Sequence, residues 1–482
     1  MKDTKKNTKG NVLPSIKDSF SDWYNDAIEK ANLCDHSSVK GCITILPYGY
    51  AIWENIQKEL DAKIKEMNVK NMAFPLLFPY KLLEKEKDHV EGFAPEVAVV
   101  THAGGEKLEE NLVIRPTSEV IIHSYFKKWI RSWRDLPVKV NQWCSVVRWE
   151  KRPRPFIRTT EFWWQEGHTA HATIEEAEAQ AYDSICLYRN FCENVLAIPV
   201  IMAKKPQYER FAGADITWTI EGMMQDGKAL QMGTSHLLNK GFVDSLEISF
   251  QDKGKGISFP TLTSWGVTTR LIGALIMVHG DDFGIVIPPK IAPILIVIVP
   301  IFKNDLEKSI VLSAVSKITV LLKKYNFAFE LDDREEVTPG AKFYESEIRG
   351  VPFRFELGMR DIEKDQFTIF IRDIRQKENF LFENLDNFNL LFDQMIDCFQ
   401  KRLYDKALQN KNEKTFYAEK LEQFVNNGFY ITHWCGKDEN KFKLESQLSV
   451  RCVLEDNILN KTCCIHENCS QNLLKIVLAK SY

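Results

Sequence analysis

With 482 residues, the chain is too long for a single hydrophobic core and predicts roughly two to four domains. Its hydrophobic fraction of 44% and charged fraction of 27% are those of an ordinary soluble globular protein. A net charge of −3 argues against a surface coated uniformly for nucleic acid, while leaving room for a local basic face. No apolar run approaches the roughly 18 residues of a membrane helix. The longest run, from Ala292 to Phe302, carries two prolines and reads as a buried strand. The 11 cysteines are scattered through a large chain, as in cytosolic proteins with reduced thiols, with room for one local metal site.

The polar, lysine-rich start, residues 1–17, is predicted as a disordered tail with no apolar core behind it to make a secretory signal. From Asp18 to Met67, helical patterns flank a short insert (VKGCITILPYGYAIWENI) that reads as a strand or extended turn before a helix. Ile52, Ile56, Leu60 and Ile64 mark one face of that helix. Asn71 to Pro79 is extended and held by prolines. From Asn111 to about Asp281 the pattern is mainly of strands, bounded by Gly, Pro and polar clusters. One helix interrupts them, from Ile174 to about Leu196. Consecutive strands with few helices between them predict an antiparallel sheet in an α+β domain.

After Pro288-Pro289 the run ILIVIV reads as a strand buried on both faces, followed by a helix at Leu306–Tyr325 and the strand FAFELDD. That order predicts a small parallel βαβ domain. The last segment opens with a charge-laced helix and ends among cysteines. The boundaries drawn are 18–286, 287–400 and 401–482.

The chemistry concentrates in two neighbouring strings. In VVRWE, Arg148 and Glu150 stand two apart, and in FIRTTEFWWQEGH Arg158, Phe162, Trp164 and Glu166 are separated by even numbers of residues, so a strand would present each set on one face. Buried charge is costly unless it is paired or meets a ligand. Thr117 and Glu119 in RPTSE, Gln231, Thr234 and His236 in QMGTSH, and Arg270 in SWGVTTRLIG add polar groups. Each has an ordinary alternative: a helix cap, a structural histidine, a surface arginine. Together they suit a polyanion, a carboxylate and an amine, because a guanidinium donates bidentately to phosphate.

VVRWE…FIRTTEF resembles motif 2, GVTTRLIG motif 3, and NMAFPLLFP with Pro75 the motif 1 segment of class II aminoacyl-tRNA synthetases. The strings VIRPTSE, RTTEFWWQEGHTAHAT, ERFAGAD and ALQMGTSH are similar to those of prolyl-tRNA synthetases of the eukaryote-like and archaeal-like branch. The resemblance runs from about Asp18 to the end of the chain. It implies an α+β fold with a class II antiparallel-sheet catalytic domain, then an α/β anticodon-binding domain and a small α/β C-terminal domain. It implies ATP, with Mg²⁺ on its phosphates, L-proline and tRNA(Pro) as partners, a cytoplasmic homodimer and no membrane.

By the same resemblance, Arg148 bridges the proline carboxylate and the α-phosphate, and Glu150 holds the adenine side. Arg158, with Thr159, and Arg270 take the outer phosphates, while Gln231 and Thr234 contact the nucleotide and ribose. Thr117 and Glu119 accept from the secondary ammonium, and Phe211, Trp164, His236 and Phe93 wall the ring. Arg148 and Arg270 are the residues expected to stabilise the developing charge. Only about a hundred residues separate Arg158 from Trp265, already filled by readable elements, so no editing domain is expected. Glu347, Arg354 and Asp361, with Lys377 a weaker candidate, match anticodon-side positions. Cys435, Cys464 and Cys469, with Cys463 and His466, offer ligands for Zn²⁺. Glu439-Asn440 stand where the family has a further cysteine, so a metal-free segment is the alternative.

Overall fold

The computed structural model describes residues 13–85, 97–436, 447–458, 464–465 and 473–482. They gather into two compact units. The larger takes His36–Thr44, Gln57–Ala274 and the described part of Ala407–Tyr482; the smaller takes 13–35, Ile45–Ile56 and Leu275–Lys406. Among the described residues no helix is long and apolar enough to cross a membrane.

The central strands are, in chain order, β1 (Lys70–Asn71), β2 (Val138–Val147), β3 (Glu161–His171), β4 (Val200–Lys204), β5 (Ala214–Met223), β6 (Ala229–Leu238) and β7 (Thr261–Thr268). The smaller unit supplies β8 (Ile296–Ile301), β9 (Phe329–Leu331), β10 (Phe353–Gly358), β11 (Gln366–Ile371) and β12 (Gln376–Leu381). The C-terminal segment supplies β13 (Thr415–Tyr417), β14 (Phe429–Trp434), β15 (Ser449–Ile458) and β16 (Leu473–Ala479).

The larger unit is built on one eleven-stranded sheet in the order β13-β14-β16-β15-β4-β5-β6-β7-β3-β2-β1, antiparallel through its middle. The strands expected from Gln142 to Leu238 lie in it, whereas the one expected at Asn111 ends a strand, Glu106–Ile114, of a separate three-stranded sheet. The segment after residue 400 lays its strands along the same sheet rather than forming a separate one. Strand alternation divides the sheet into two chemically different faces. On one face, the helix Ile174–Asn194 starts at the cap Thr173, whose side chain accepts from Glu176 N–H, and buries Ala181, Ile185 and Tyr188. Ser235 Oγ donates to the helix carbonyl of Ala181 at 2.7 Å. Gly167 is required there, since a Cβ would stand 2.2 Å from the Trp265 ring. On the other face, Glu166 of β3, Gly266 of β7, Thr234 of β6 and Thr219 of β5 lie in one cross-strand row. Glu166, Gly266 and Thr234 of that row face the cavity described below.

Two local readings change. β2 stops at Val147, so Arg148 and Glu150 project from the turn beyond the strand rather than from one strand face. Arg158 likewise precedes β3. In the smaller unit, β8 runs parallel to β9 and β10, as a βαβ pattern predicts. The next two strands, however, turn antiparallel, β10 to β11 and β11 to β12. The interval between β11 and β12 is only 372–375, long enough for a hairpin and far too short for a parallel crossover. A core of Phe327, Phe353, Phe355, Phe388 and Phe392 fills this unit with tilted and edge-on ring pairs.

Arg372 is fully buried in the smaller unit and grips Asp281 with both terminal nitrogens, at 2.6 and 2.7 Å, while Nε donates to Glu347 O at 3.0 Å. Breaking such a buried pair costs roughly 3 kcal/mol. We expect Arg372→Ala to lower the urea midpoint of the first unfolding transition by a corresponding amount, read by circular dichroism, while Arg360→Ala, at an exposed position of the same unit, leaves it unchanged.

Candidate active site

A cavity of about 390 Å³ opens over the polar face of the large sheet. It is lined from the floor by β3, β6 and β7 and from the rim by the turns carrying Arg148, Arg158 and Thr117. Thr117, Glu119, Arg148, Glu150, Arg158, Thr159, Trp164, Phe211, Gln231, Thr234, His236 and Arg270 all line it. Phe93 lies outside the described residues.

One end is cationic. Arg270, the first residue of the helix Arg270–His279, donates through Nε to Ile157 O at 3.1 Å and through Nη1 to Gln231 O at 3.2 Å. Burial, and then the charges of Arg158 and Arg148, push its guanidinium down to about 10. Arg158 stands 3.6 Å from the carboxylate of Glu150. Arg148 is anchored by Nε on Pro116 O at 2.9 Å and lies over the rings of Phe162 and Trp164, at 5.4 and 5.6 Å. That anchor sets Arg148 beside Thr117, at the junction with the other end.

The other end is aromatic and nearly neutral. Phe211 packs on His236 with ring centres 4.7 Å apart and stacks on Phe242 at 6.3 Å. Thr217 Oγ1 accepts from Phe211 N–H at 3.0 Å and bonds His236 Nδ1 at 3.0 Å, locking both rings to β5. Burial, helped by the charge of His168, pushes His236 down to about 3, so it presents an uncharged wall. Thr117 Oγ1 donates to Glu119, which closes this end with a carboxylate.

Beneath the Thr117–Glu119 turn lies a network that sequence reading reached only in part. Glu166 accepts from Ser118 Oγ, Gln142 Nε2 and, at 3.1 Å, His168 Nε2, with all four residues buried. Ser118 sits at the cap position of the helix Glu119–Trp129, yet its hydroxyl makes no cap bond and serves Glu166 instead. The signal available was alternation: His168 follows Glu166 by two on the same strand face. Gln142 carries no such mark, because its place opposite Glu166 is a matter of register.

Burial alone would raise Glu166, but hydrogen bonds from His168, Ser118 and Gln142 outweigh it and hold the carboxyl below its ordinary 4.5. Burial alone would lower His168, but Glu166, with Glu119 behind it, holds the imidazole above its ordinary 6.5. The share of stability from Glu166 is present above pH 4.5 and lost as pH falls through its depressed value. The share from His168 is present below pH 6.5 and lost as pH rises through its raised value. The melting-temperature gap between wild type and Glu166→Gln/His168→Gln should therefore be widest between pH 4.5 and 6.5 and narrow on either side, as scanning calorimetry at stepped pH would read.

The remaining candidates have firm structural partners. Arg354 is 3% exposed, held between the rings of Phe343 and Phe370, with Nε and Nη2 on Glu356 and Nη1 on Glu347 at 3.1 Å. Lys377 pairs with Glu356 at 2.6 Å. Asp361 accepts from Gly358 N–H at 2.9 Å as a turn cap. Cys435 is half-buried and Cys464 buried, and Ile465 N–H donates to His433 O at 3.0 Å, which brings Cys464 to the end of β14. Cys463, His466 and Cys469 lie outside the described residues. Among the described residues no three His, Cys, Asp or Glu side chains group as a metal site.

Residues 101–279 match the tRNA synthetase class II core domain (G, H, P, S and T), and residues 295–388 match the anticodon binding domain. Antiparallel sheet, cationic end and paired domains thus define a class II aminoacyl-tRNA synthetase. The chain is 46% identical to the proline--tRNA ligase of Chlorobium limicola, over 98% of this chain and 99% of that one. It is 49% identical to the enzyme of that name from Ruminiclostridium cellulolyticum, over 94% of each. A crystal structure of prolyl-tRNA synthetase from Cryptosporidium parvum, complexed with halofuginone and AMPPNP, superposes with a TM-score of 0.90 at 39% identity, covering 98% of this chain and 99% of that one. The chain belongs to the prolyl-tRNA synthetase family.

Proposed function

We propose that the cavity performs both steps of proline activation and transfer, with the residue roles that its two ends support. The enzyme is an ATP-dependent ligase: it joins L-proline to ATP as prolyl-adenylate, releasing pyrophosphate, and passes the prolyl group to the 3′ end of tRNA(Pro). The observation that carries this reading is the meeting of a guanidinium end with a carboxylate-and-aromatic end at Arg148. The proline carboxylate attacks the α-phosphate, so no protein nucleophile is needed and the work is positioning and charge stabilisation.

Arg148 spans the reacting carboxylate and α-phosphate, Arg158 and Arg270 take the outer phosphates, and Glu150, Thr159, Gln231 and Thr234 hold the nucleoside. Thr117 and Glu119 receive the secondary ammonium, while Trp164, Phe211 and His236 enclose the ring. The donors at the phosphate end are guanidinium groups, which suit phosphate rather than a cation. Magnesium would therefore arrive on the phosphate oxygens and neutralise charge there. A smaller amino acid loses only a methylene or two of contact, worth about 1–3 kcal/mol, so alanine is weakly rejected. Continuous described elements from β3 to β7 support the absence of an editing insertion.

The eukaryote-like and archaeal-like branch is supported by the end-to-end similarity to the Cryptosporidium structure, although the two curated relatives named above are bacterial. Dimerisation is supported by the exposed Met72, Leu76 and Leu77 of the motif 1 segment and Val99 beside them. The catalytic range 18–286, the anticodon range 287–400 and a cytoplasmic location complete the reading. In the anticodon range Arg354 acts from below, orienting Glu347 and Glu356 toward bases, with Asp361 holding the neighbouring turn.

Arg148→Ala and Arg270→Ala should each lower proline-dependent pyrophosphate exchange by about 100- to 1,000-fold. A wild type that charges another amino acid and not proline would refute the specificity. For the C-terminal segment, the apolar cluster of Tyr430, Trp434, Val450 and Leu478 supports the metal-free alternative. Atomic emission of the purified protein is expected to find no stoichiometric zinc, and one ion per chain would assign it to Cys435, Cys464 and Cys469.

A further inference from the structure

β15 lies beyond both family matches, which end at residues 279 and 388, yet it pairs with β4 and sends a side chain to a buried carboxylate of the catalytic sheet. Arg451, 9% exposed, donates through Nε and Nη2 to Glu221 Oε2 at 3.1 and 2.9 Å. Glu221 is fully buried on β5, and its other oxygen receives Lys205 Nζ at 3.1 Å and Thr219 Oγ1 at 2.9 Å. Thr219 in turn accepts from Gln231 Nε2 at 3.3 Å, and Gln231 O accepts from Arg270 Nη1 at 3.2 Å. Gln231 and Arg270 line the cavity, whereas Arg451, Glu221 and Lys205 do not touch it.

A carboxylate this deep is tolerated only while both oxygens are paired. Lys205 alone cannot do this, since it is shared with Glu209 at 3.6 Å. Without Arg451, Glu221 Oε2 loses its Nε and Nη2 donors, and the carboxylate has to rotate to satisfy that oxygen from Lys205, which shifts Oε1 off Thr219. Thr219 would then release the Gln231 amide, and the β6 carbonyl that seats Arg270 would lose its fixed place. We infer that Arg451 is a positioning residue for the nucleotide, acting through Glu221 and Thr219 on Gln231 and Arg270, so that the C-terminal segment completes the ATP site it does not line.

This rests on the reading of the cationic end as the nucleotide site, and the test separates the two. ATP and proline are titrated singly by calorimetry into full-length wild type, Arg451→Met, Arg451→Lys, Glu221→Gln and the Arg451→Met/Glu221→Gln double variant, with melting temperature recorded for each. The expected result is ATP binding weakened about tenfold in Arg451→Met, less in Arg451→Lys, with proline binding unchanged. The double variant should lose no more than the worse single variant, because both act on one chain of contacts. Arg451→Lys, which keeps the charge, carries the test if Arg451→Met does not fold. Lower melting temperatures with unchanged ATP affinity would overturn the inference, as would equal losses for ATP and proline. A wild type that does not bind ATP would overturn the site reading itself and the inference with it.

Discussion

A carboxylate buried on a β-sheet face is tolerated only when its oxygens are paired, and two such carboxylates organise the catalytic face of this protein. Glu166 sits under the aromatic end, where Ser118, Gln142 and His168 satisfy it. Glu221 sits behind the cationic end, where Lys205, Thr219 and Arg451 satisfy it. Each carboxylate fixes a neighbour that faces the cavity: the Thr117–Glu119 turn in the first case, Gln231 in the second. The floor is thus polar without being loose at these two places, because Ser118 and Gln231 are each tied to a satisfied carboxylate, directly or through Thr219.

The cavity's two ends differ in charge for a reason that bears on chemistry. At one end burial keeps His236 neutral and rings cover the wall beside the Glu119 carboxylate. At the other end burial, and then repulsion from Arg158 and Arg148, lower the Arg270 guanidinium from its usual range. In the proposed reading, an anionic nucleotide bound there would relieve that repulsion. Arg148 belongs to both ends through its anchor on Pro116 and its place over Phe162 and Trp164. An anhydride bond between a carboxylate and a phosphate has to form at such a junction.

Much of this could be read along the chain. Alternation in β3 placed Trp164 and Glu166 on one face, and the strand runs from Asn111 to Asp281 yielded an antiparallel sheet. Period-2 and period-3.6 patterns survive folding because they record which face meets the core. The strand argument for Arg148 and Glu150 named cavity residues by an incorrect route, since β2 ends at Val147 and both stand on the turn. Arg354, matched along the chain to an anticodon-side position, is enclosed by Phe343 and Phe370, an enclosure that no local pattern marks.

What the sequence by itself determined, then, is the set of elements, their order and the chemical kinds of residue gathered for phosphate, ammonium and an apolar ring. Propensity, alternation and motif spacing are local properties, and local neighbours suffice to express them. Only the tertiary structure decided which polar groups support which. Ser118 reaches Glu166 across 48 residues, Gln142 across 24, and Arg451 reaches Glu221 across 230. Those pairings depend on sheet register and on the return of the C-terminal strands to β4, and no local pattern encodes either. A buried charge selects its partner by proximity in space, and that proximity exists only once the sheet has closed.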